Sequence, residues 1–245
     1  MQFEFRPIEA GDGQPKAAKT YSELRDAIIT MKLQPGVALQ EREICAQLAI
    51  SRTPMREAVL RLAQEGLVNV IPSGGTFVNK ISVRDVIEGQ IVRDALELRM
   101  VRLAARNFDS THERAFDLLM FRQQEAGKRR DADEAFTIDN EFHRQICAVA
   151  GFPNIWQTIH AATGQLDRLR RQAFPKEGFF DEVVEEHAAI QKALAAHDEA
   201  EAVRLMKAHL NGIAQVLRFV MASDPGIVSD EQELALLDVM IAAGA

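Results

Sequence analysis

A chain of 245 residues is long enough for two domains of ordinary size, each with a core of its own. Its 47% hydrophobic, 27% charged and 6% aromatic residues exclude a disordered chain; with no uncharged apolar run of about 18 residues and no signal-peptide pattern at the start, neither membrane insertion nor secretion is expected, and the cytoplasm is the expected compartment. The net charge of −7 is unevenly spread: residues 15–80 hold nine Lys/Arg against six Asp/Glu, a net +3, while residues 81–245 carry −8, so a mildly basic head on an acidic body leaves a nucleic-acid partner open.

Residues 1–15 contain Gly11, Gly13 and Pro15 without an apolar period and are expected to form a flexible arm. From Tyr21 the period becomes helical. Leu24, Ala27, Ile28 and Met31 share one face, and Gln34-Pro35-Gly36 turns the chain after a helix over roughly 17–32. A short second helix from about Glu41 carries Ile44, Cys45 and Leu48, and Ala49-Ile50-Ser51 leads into a third. There Thr53 is the expected N-cap with Pro54 at the first helical position, Met55, Ala58, Val59, Leu62 and Ala63 form the apolar face, and Gly66 ends it. Leu67 to Ile71 and Gly75 to Val78 are β-rich runs joined by Pro72-Ser73-Gly74, the pattern of a hairpin. Three helices followed by a hairpin make residues 16–80 a winged helix-turn-helix.

Beyond Ser82 no further strand is expected. Helices are placed near 83–106, 111–129, 131–150, 153–173, 179–196 and 198–222, with breaks at Asn107-Phe108-Asp109, Gly151-Phe152-Pro153, Phe174-Pro175-Lys176-Glu177-Gly178 and His197-Asp198. The expected fold is therefore mainly α: the winged helix-turn-helix, then an antiparallel all-α helical bundle over 81–222, then a C-terminal tail over 223–245 that is either one more helix or a docking segment. Cys45 and Cys147, in unlike contexts, are expected to be small buried hydrophobes of a reducing compartment.

If the third helix enters a major groove, its first residues must carry the polar contacts. Ser51, Arg52, Thr53 and Arg56 meet that need, because four residues advance a helix by a net of about 40° and keep Arg52 and Arg56 on one side. Arginine there can grip phosphate or pair with guanine O6 and N7, and Arg42 at the start of the second helix is placed for a phosphate. The bland alternative for such a helix is a solvated face with Glu57 and Glu65; the turn and the hairpin favour DNA.

Glu41-Arg42-Glu43, Ser51-Arg52-Thr53-Pro54-Met55-Arg56-Glu57-Ala58, Glu65-Gly66-Leu67-Val68 and Gly75-Thr76-Phe77-Val78 together resemble the winged helix of the GntR family of transcriptional regulators. The resemblance implies DNA contacts by Arg42, Ser51, Arg52, Thr53 and Arg56, with the wing tip at Ser73 and Gly74 entering the minor groove. Many members similar to this chain have an arginine where Gly74 stands, so a minor-groove charge contact is not expected here; the backbone amides of Gly74 and Gly75 can still approach a phosphate.

In the bundle Asp139 and His143, four apart, lie on one helix face, as two metal ligands would, although an ordinary ion pair has the same spacing. His187 and His209 fall on later helices beside Ile190, Leu205, Met206 and Leu210. One histidine so placed is usually a satisfied core residue, whereas three histidines and an aspartate converging from three helices match a divalent-metal site. Arg93 with Leu96-Glu97, Asp139-x-x-x-His143, Glu186-His187-x-x-Ile190 and Met206-x-x-His209-Leu210 resemble the helical FCD domain of the FadR branch of GntR regulators. That resemblance implies a metal held by Asp139, His143, His187 and His209, with zinc suited to the imidazoles and nickel or manganese acceptable. It also implies an anionic effector met by Arg93 and by Arg168 or Arg170, the alternative for each arginine being a salt bridge with a bundle carboxylate. His112, His160 and His197 are left as structural or surface residues.

The expected function is thus a cytoplasmic, homodimeric DNA-binding repressor on a palindromic operator, released by a small carboxylate bound near the metal. A second reading makes the metal itself the signal. A metal-dependent enzyme is a third, disfavoured because the chain has no HExxH, P-loop, dinucleotide fingerprint or nucleophile with a base.

Overall fold

The computed structural model describes residues 3–9, 13–173, 179–237 and 239. The head consists of α1 (Lys16–Ile29), α2 (Glu41–Gln47), α3 (Arg52–Gln64) and the antiparallel strands β1 (Val68–Ile71) and β2 (Gly75–Val78). Its core is formed where the apolar faces of the three helices meet, with Leu24, Ile28, Ile44, Leu48, Met55, Leu62 and Leu67 fully buried. Helix α3 ends because Gly66 takes a left-handed φ of +68°, which lets its N–H reach the Ala63 carbonyl and the Leu67 N–H reach that of Leu62, satisfying the last carbonyls of the helix.

Two details of the head differ from the sequence reading. Helix α3 begins two residues earlier than expected: Ser51 is the extended residue before it, and Thr53 and Pro54 lie inside the first turn, where a missing proline N–H costs no intrahelical bond. Residues 3–9, expected as a free arm, are docked on the head instead. Phe5 is buried with the head core, its N–H donates to Gln47 Oε1, and the Ile8 N–H donates to the Leu48 carbonyl. Phe3, packed edge-on to Phe5, and Ile8 join it against the head core, and these three apolar side chains anchor the segment.

The bundle comprises α4 (Val83–Asn107), α5 (Ser110–Arg129), α6 (Ala132–Val149), α7 (Ile155–Ala162), α8 (Gly164–Ala173), α9 (Phe179–Ala195), α10 (Glu199–Asn211) and α11 (Ile213–Ser223). Aspartates start three of them: the side chains of Asp109, Asp131 and Asp198 accept from backbone N–H groups of α5, α6 and α10. The long α4 runs through the bundle and packs against α6, α7, α8, α9 and α10. Two expected helices are each divided, 153–173 at Thr163 and 198–222 at Gly212. The break predicted at 174–178 lies outside the described residues.

The segment after α11 is not a free tail over its described part. Strand β4 (Val228–Ser229) pairs in parallel with β3 (Ile81–Ser82), the link between head and bundle, so short strands exist beyond the hairpin after all. Ser82 donates to Asp230, Arg84 pairs with Glu233 at 2.8 Å, and Leu237 is buried with Ile81, Val83, Leu166 and Leu217. Among the described residues no helix is long and apolar enough to cross a membrane.

Candidate functional site

Helix α6 carries Asp139 and His143 one turn apart, α9 carries His187 and α10 carries His209, and the ligand-capable atoms of the four lie within 4.8 Å of one another. The structure thus brings together the four residues that the family resemblance named. Each imidazole is held by its far nitrogen: His143 Nδ1 is 2.6 Å from Glu97, His187 Nδ1 is 3.0 Å from Gln123 Oε1, and His209 Nδ1 is 2.7 Å from Glu186. A nitrogen facing an oxygen acceptor carries the proton, which turns the Nε2 lone pairs of the three rings inward, that of His143 also accepting from Arg93. Phe142 stacks on His187 at 3.8 Å between ring centres and holds that ring in plane.

The inward atoms bear out what such a donor set requires. His143 Nε2 and His209 Nε2 are only 3.2 Å apart, and His187 Nε2 is fully buried without a hydrogen-bond partner among the described residues, 3.6 Å from Asp139 Oδ1. Burial pushes all three imidazoles toward the neutral form: His209 is brought down to about 4 despite Glu186, His187 well below its ordinary value by burial and the neighbouring His209 and His143, and His143 below it despite Glu97. Burial alone would raise the Glu97 carboxyl, but Arg93 and His143 hold it well below the usual carboxylate range. Neutral imidazoles and a carboxylate around one point, with acceptors behind them, fit a divalent cation.

The cluster forms part of the wall of a cavity of about 390 Å³. Asp139 and His209 share that wall with Arg93 and Arg170, facing apolar groups that include Val183, Val216 and Phe219. Arg93 is buried, donates from Nε to Glu97 at 2.5 Å and lies 3.0 Å from His143 Nε2 through NH2. Arg170 closes on Asp139 with NH2 and on Asp167 with NH1 at 3.2 Å.

Arg168 is elsewhere. It is fully buried at the junction with the head, donating to the Asn79 carbonyl at 2.8 Å and to Gln165 at 3.1 Å, and it does not line the cavity. Two residues on a helix differ by about 200°, so Arg168 and Arg170 must face opposite ways. The sequence reading also left Glu97, Gln123, Glu186 and Asp167 without roles. An acid four residues after Arg93 is a visible signal for Glu97; the others depend on which helices become neighbours. Of the three histidines set aside, His112 accepts from the Asp109 N–H in the cap of α5 and His197 pairs with the Ala105 carbonyl.

On the head, Arg42, Arg52 and Arg56 are exposed and line one hollow of about 260 Å³ together with Glu41 and Cys45. None of the three pairs with a carboxylate among the described residues, and Glu65 is engaged by Tyr21 and Arg25, not by this face. Ser51 and Thr53 are exposed beside them, and the Ser51 hydroxyl does not cap α3. Cys45 is half-buried at the edge of this hollow; Cys147 is buried in the bundle, where burial pushes its thiol up to about 12. At the wing tip Ser73 takes a left-handed φ of +60° and Gly74 donates to the Ile71 carbonyl. A Cβ at Gly74 would stand 2.6 Å from Ile71 Cγ2, so an arginine here would require the Ile71 side chain to turn away.

Residues 16–78 match the model of bacterial regulatory proteins of the gntR family, and residues 90–212 match that of the FCD domain. An HTH-type transcriptional regulator in an unstable DNA locus of Streptomyces ambofaciens is 32% identical, over 90% of this chain and 92% of that protein. The HTH-type transcriptional repressor RspR of Escherichia coli strain K12 is 30% identical, over 89% of this chain and 96% of its own length. Among solved structures, Escherichia coli McbR/YncC superposes with a TM-score of 0.73 over 85% of this chain and 98% of that one at 21% identity, a likeness of fold.

Proposed function

Because the chain belongs to the gntR family and carries an FCD domain, we propose that it is a homodimeric, cytoplasmic repressor whose hold on a palindromic operator is set by a small carboxylate bound beside a divalent metal. The broader statement needs no proposal: the chain is a DNA-binding transcriptional regulator and not an enzyme, as its relatives are regulators over nearly their full length. The single observation that carries the finer reading is that two members of the four-residue cluster, Asp139 and His209, share a cavity wall with the arginines Arg93 and Arg170.

Three imidazoles with one carboxylate suit zinc, with nickel and manganese as competitors. A cation there supplies a coordination position for an anionic oxygen. Arg93 and Arg170 would orient the remainder of that anion, the apolar side of the cavity would exclude water, and about 390 Å³ limits the effector to a small molecule. On the head, Arg42, Arg52, Arg56, Ser51 and Thr53 would contact DNA, with the wing tip at Ser73 and Gly74 approaching the minor groove. Effector binding then shifts the placement of the two heads across the half-sites, which a differential affinity of a few kcal/mol suffices to do.

The test combines two titrations. Chelator-stripped protein is titrated with zinc, and the loaded protein is screened by thermal shift against small mono- and dicarboxylates. Zinc binding at one site per chain with a shift from a carboxylate, itself releasing the protein from operator DNA in fluorescence anisotropy, is the expected result. DNA release that follows zinc alone and ignores every carboxylate would overturn the effector in favour of the metal as signal.

A further inference from the structure

The buried charges of the metal cluster continue out of the bundle and into the head. Arg170 on α8 holds Asp139 with NH2 and Asp167 Oδ1 with NH1. The other oxygen of the same carboxylate, Asp167 Oδ2, accepts from Arg25 NH2 at 3.1 Å, and Arg25 belongs to α1 of the head. Arg25 is tied further to Glu65 Oε2 at 2.9 Å and to the His160 carbonyl at 2.9 Å. Arg25 and Asp167 are each about 3% exposed and Arg170 about 10%, so a partner lost at Asp167 leaves a charge buried and poorly solvated. Around this junction Gln165 donates to the Gly66 carbonyl and Arg168 to that of Asn79, which seats the start and end of the hairpin on the same helix.

We infer that Asp167 is a positioning residue that couples the cation site to the head, by dividing one carboxylate between Arg25 of α1 and Arg170 of α8. This rests on the metal reading above. A guanidinium shared by two carboxylates divides its donors between them, and a carboxylate shared by a guanidinium and a cation divides its lone pairs. Such exchanges are costly to leave unmade at low dielectric, so a change at one junction is taken up at the next. A cation on Asp139 competes with Arg170; the arginine leans to Asp167 and to Asn140, whose Oδ1 is 3.4 Å away; and the hold of Asp167 on Arg25 changes with it. Linkage is reciprocal, so the state of Arg25 must equally alter the affinity for the cation.

That reciprocity gives a test with signs that a merely structural ion pair would not produce. Full-length, chelator-stripped protein is titrated calorimetrically with zinc chloride, and circular dichroism confirms the fold of each variant. In Asp167→Asn, Arg170 loses its second carboxylate and holds Asp139 more firmly, so the zinc Kd rises about tenfold, roughly 1.4 kcal/mol. In Arg25→Gln, Asp167 is freed for Arg170, Asp139 is released and the zinc Kd falls severalfold, while Arg25→Lys stays within twofold of the parent. Should Asp167→Asn fail to fold, the contrast between the two Arg25 variants carries the test. Kd values all within twofold, or weakened alike, overturn the coupling while leaving the metal site standing. A parent chain that takes up no zinc overturns the metal reading and the coupling with it.

Discussion

His143 and His209 face each other through their Nε2 atoms at 3.2 Å while each turns its Nδ1 onto a glutamate, Glu97 for one and Glu186 for the other. Arg93, 3.0 Å from His143 Nε2, offsets part of the repulsion between two lone pairs at that distance, and a cation bound beside them would relieve the rest. The arrangement predicts that the partners behind the rings tune the site without touching it. Gln123→Leu, which removes the acceptor from His187 Nδ1, should weaken zinc binding about 10–100-fold, and His187→Ala should abolish stoichiometric uptake. Calorimetry with elemental analysis measures both; an unaltered Kd in Gln123→Leu would rule out this role for the glutamine.

The exposed arginines of the head predict a divided response. Arg52→Ala and Arg56→Ala should each cost about 1–3 kcal/mol on a selected operator and relax base preference, whereas Arg42→Ala should weaken all DNA alike and lower the salt slope by about 1. Fluorescence anisotropy across a salt series separates these outcomes. Loss of specificity on Arg42→Ala would reverse the two assignments.

The buried imidazoles predict acid sensitivity of the metal-free protein. His209 titrates near 4 in the fold against an ordinary 6.5, with His143 and His187 shifted the same way. Above about pH 6.5 neither folded nor unfolded chain binds these protons and the full stability is present; below it the unfolded chain takes them up first, and stability falls until about pH 4. Calorimetry in chelator from pH 7.5 to 4.5 should show Tm declining through that window, less steeply in His209→Gln. A parallel decline in the variant would place the cause elsewhere.

The segment after α11 predicts a stability effect far from either site. Leu237 is fully buried against the link between head and bundle, and Leu237→Ala should cost about 2–5 kcal/mol by denaturant titration. A cost under about 0.5 kcal/mol, the range of surface substitutions, would show that the strap contributes little to holding the link.

Much of this was legible in the chain itself. The helix period of Leu24, Ala27 and Ile28, the stop at Gly66 and the two β-rich runs around Pro72-Ser73-Gly74 specify the head, because each signal is local and the matching structure is local too. The same holds for Asp139 and His143, which a single helix turn must place together. Phe5 escaped that logic, since Phe3, Phe5 and Ile8 are too few and too irregularly spaced to set a period. Thr163 and Gly212 escaped it as well, because a helix can bend at either without any change in the apolar pattern.

The sequence by itself determined the two domains, the exposed arginines of α3 and the residue types able to hold a cation. Only the tertiary structure decided that three histidines from α6, α9 and α10 turn their Nε2 atoms to one point, that Arg170 enters the cavity while Arg168 is sealed against the head, and that Asp167 joins the two domains through Arg25. The physical reason is one of range. Periodicity fixes which side of a helix a residue occupies, whereas the partner it meets there depends on how helices far apart in the chain pack, and on which buried charges must be matched when they do.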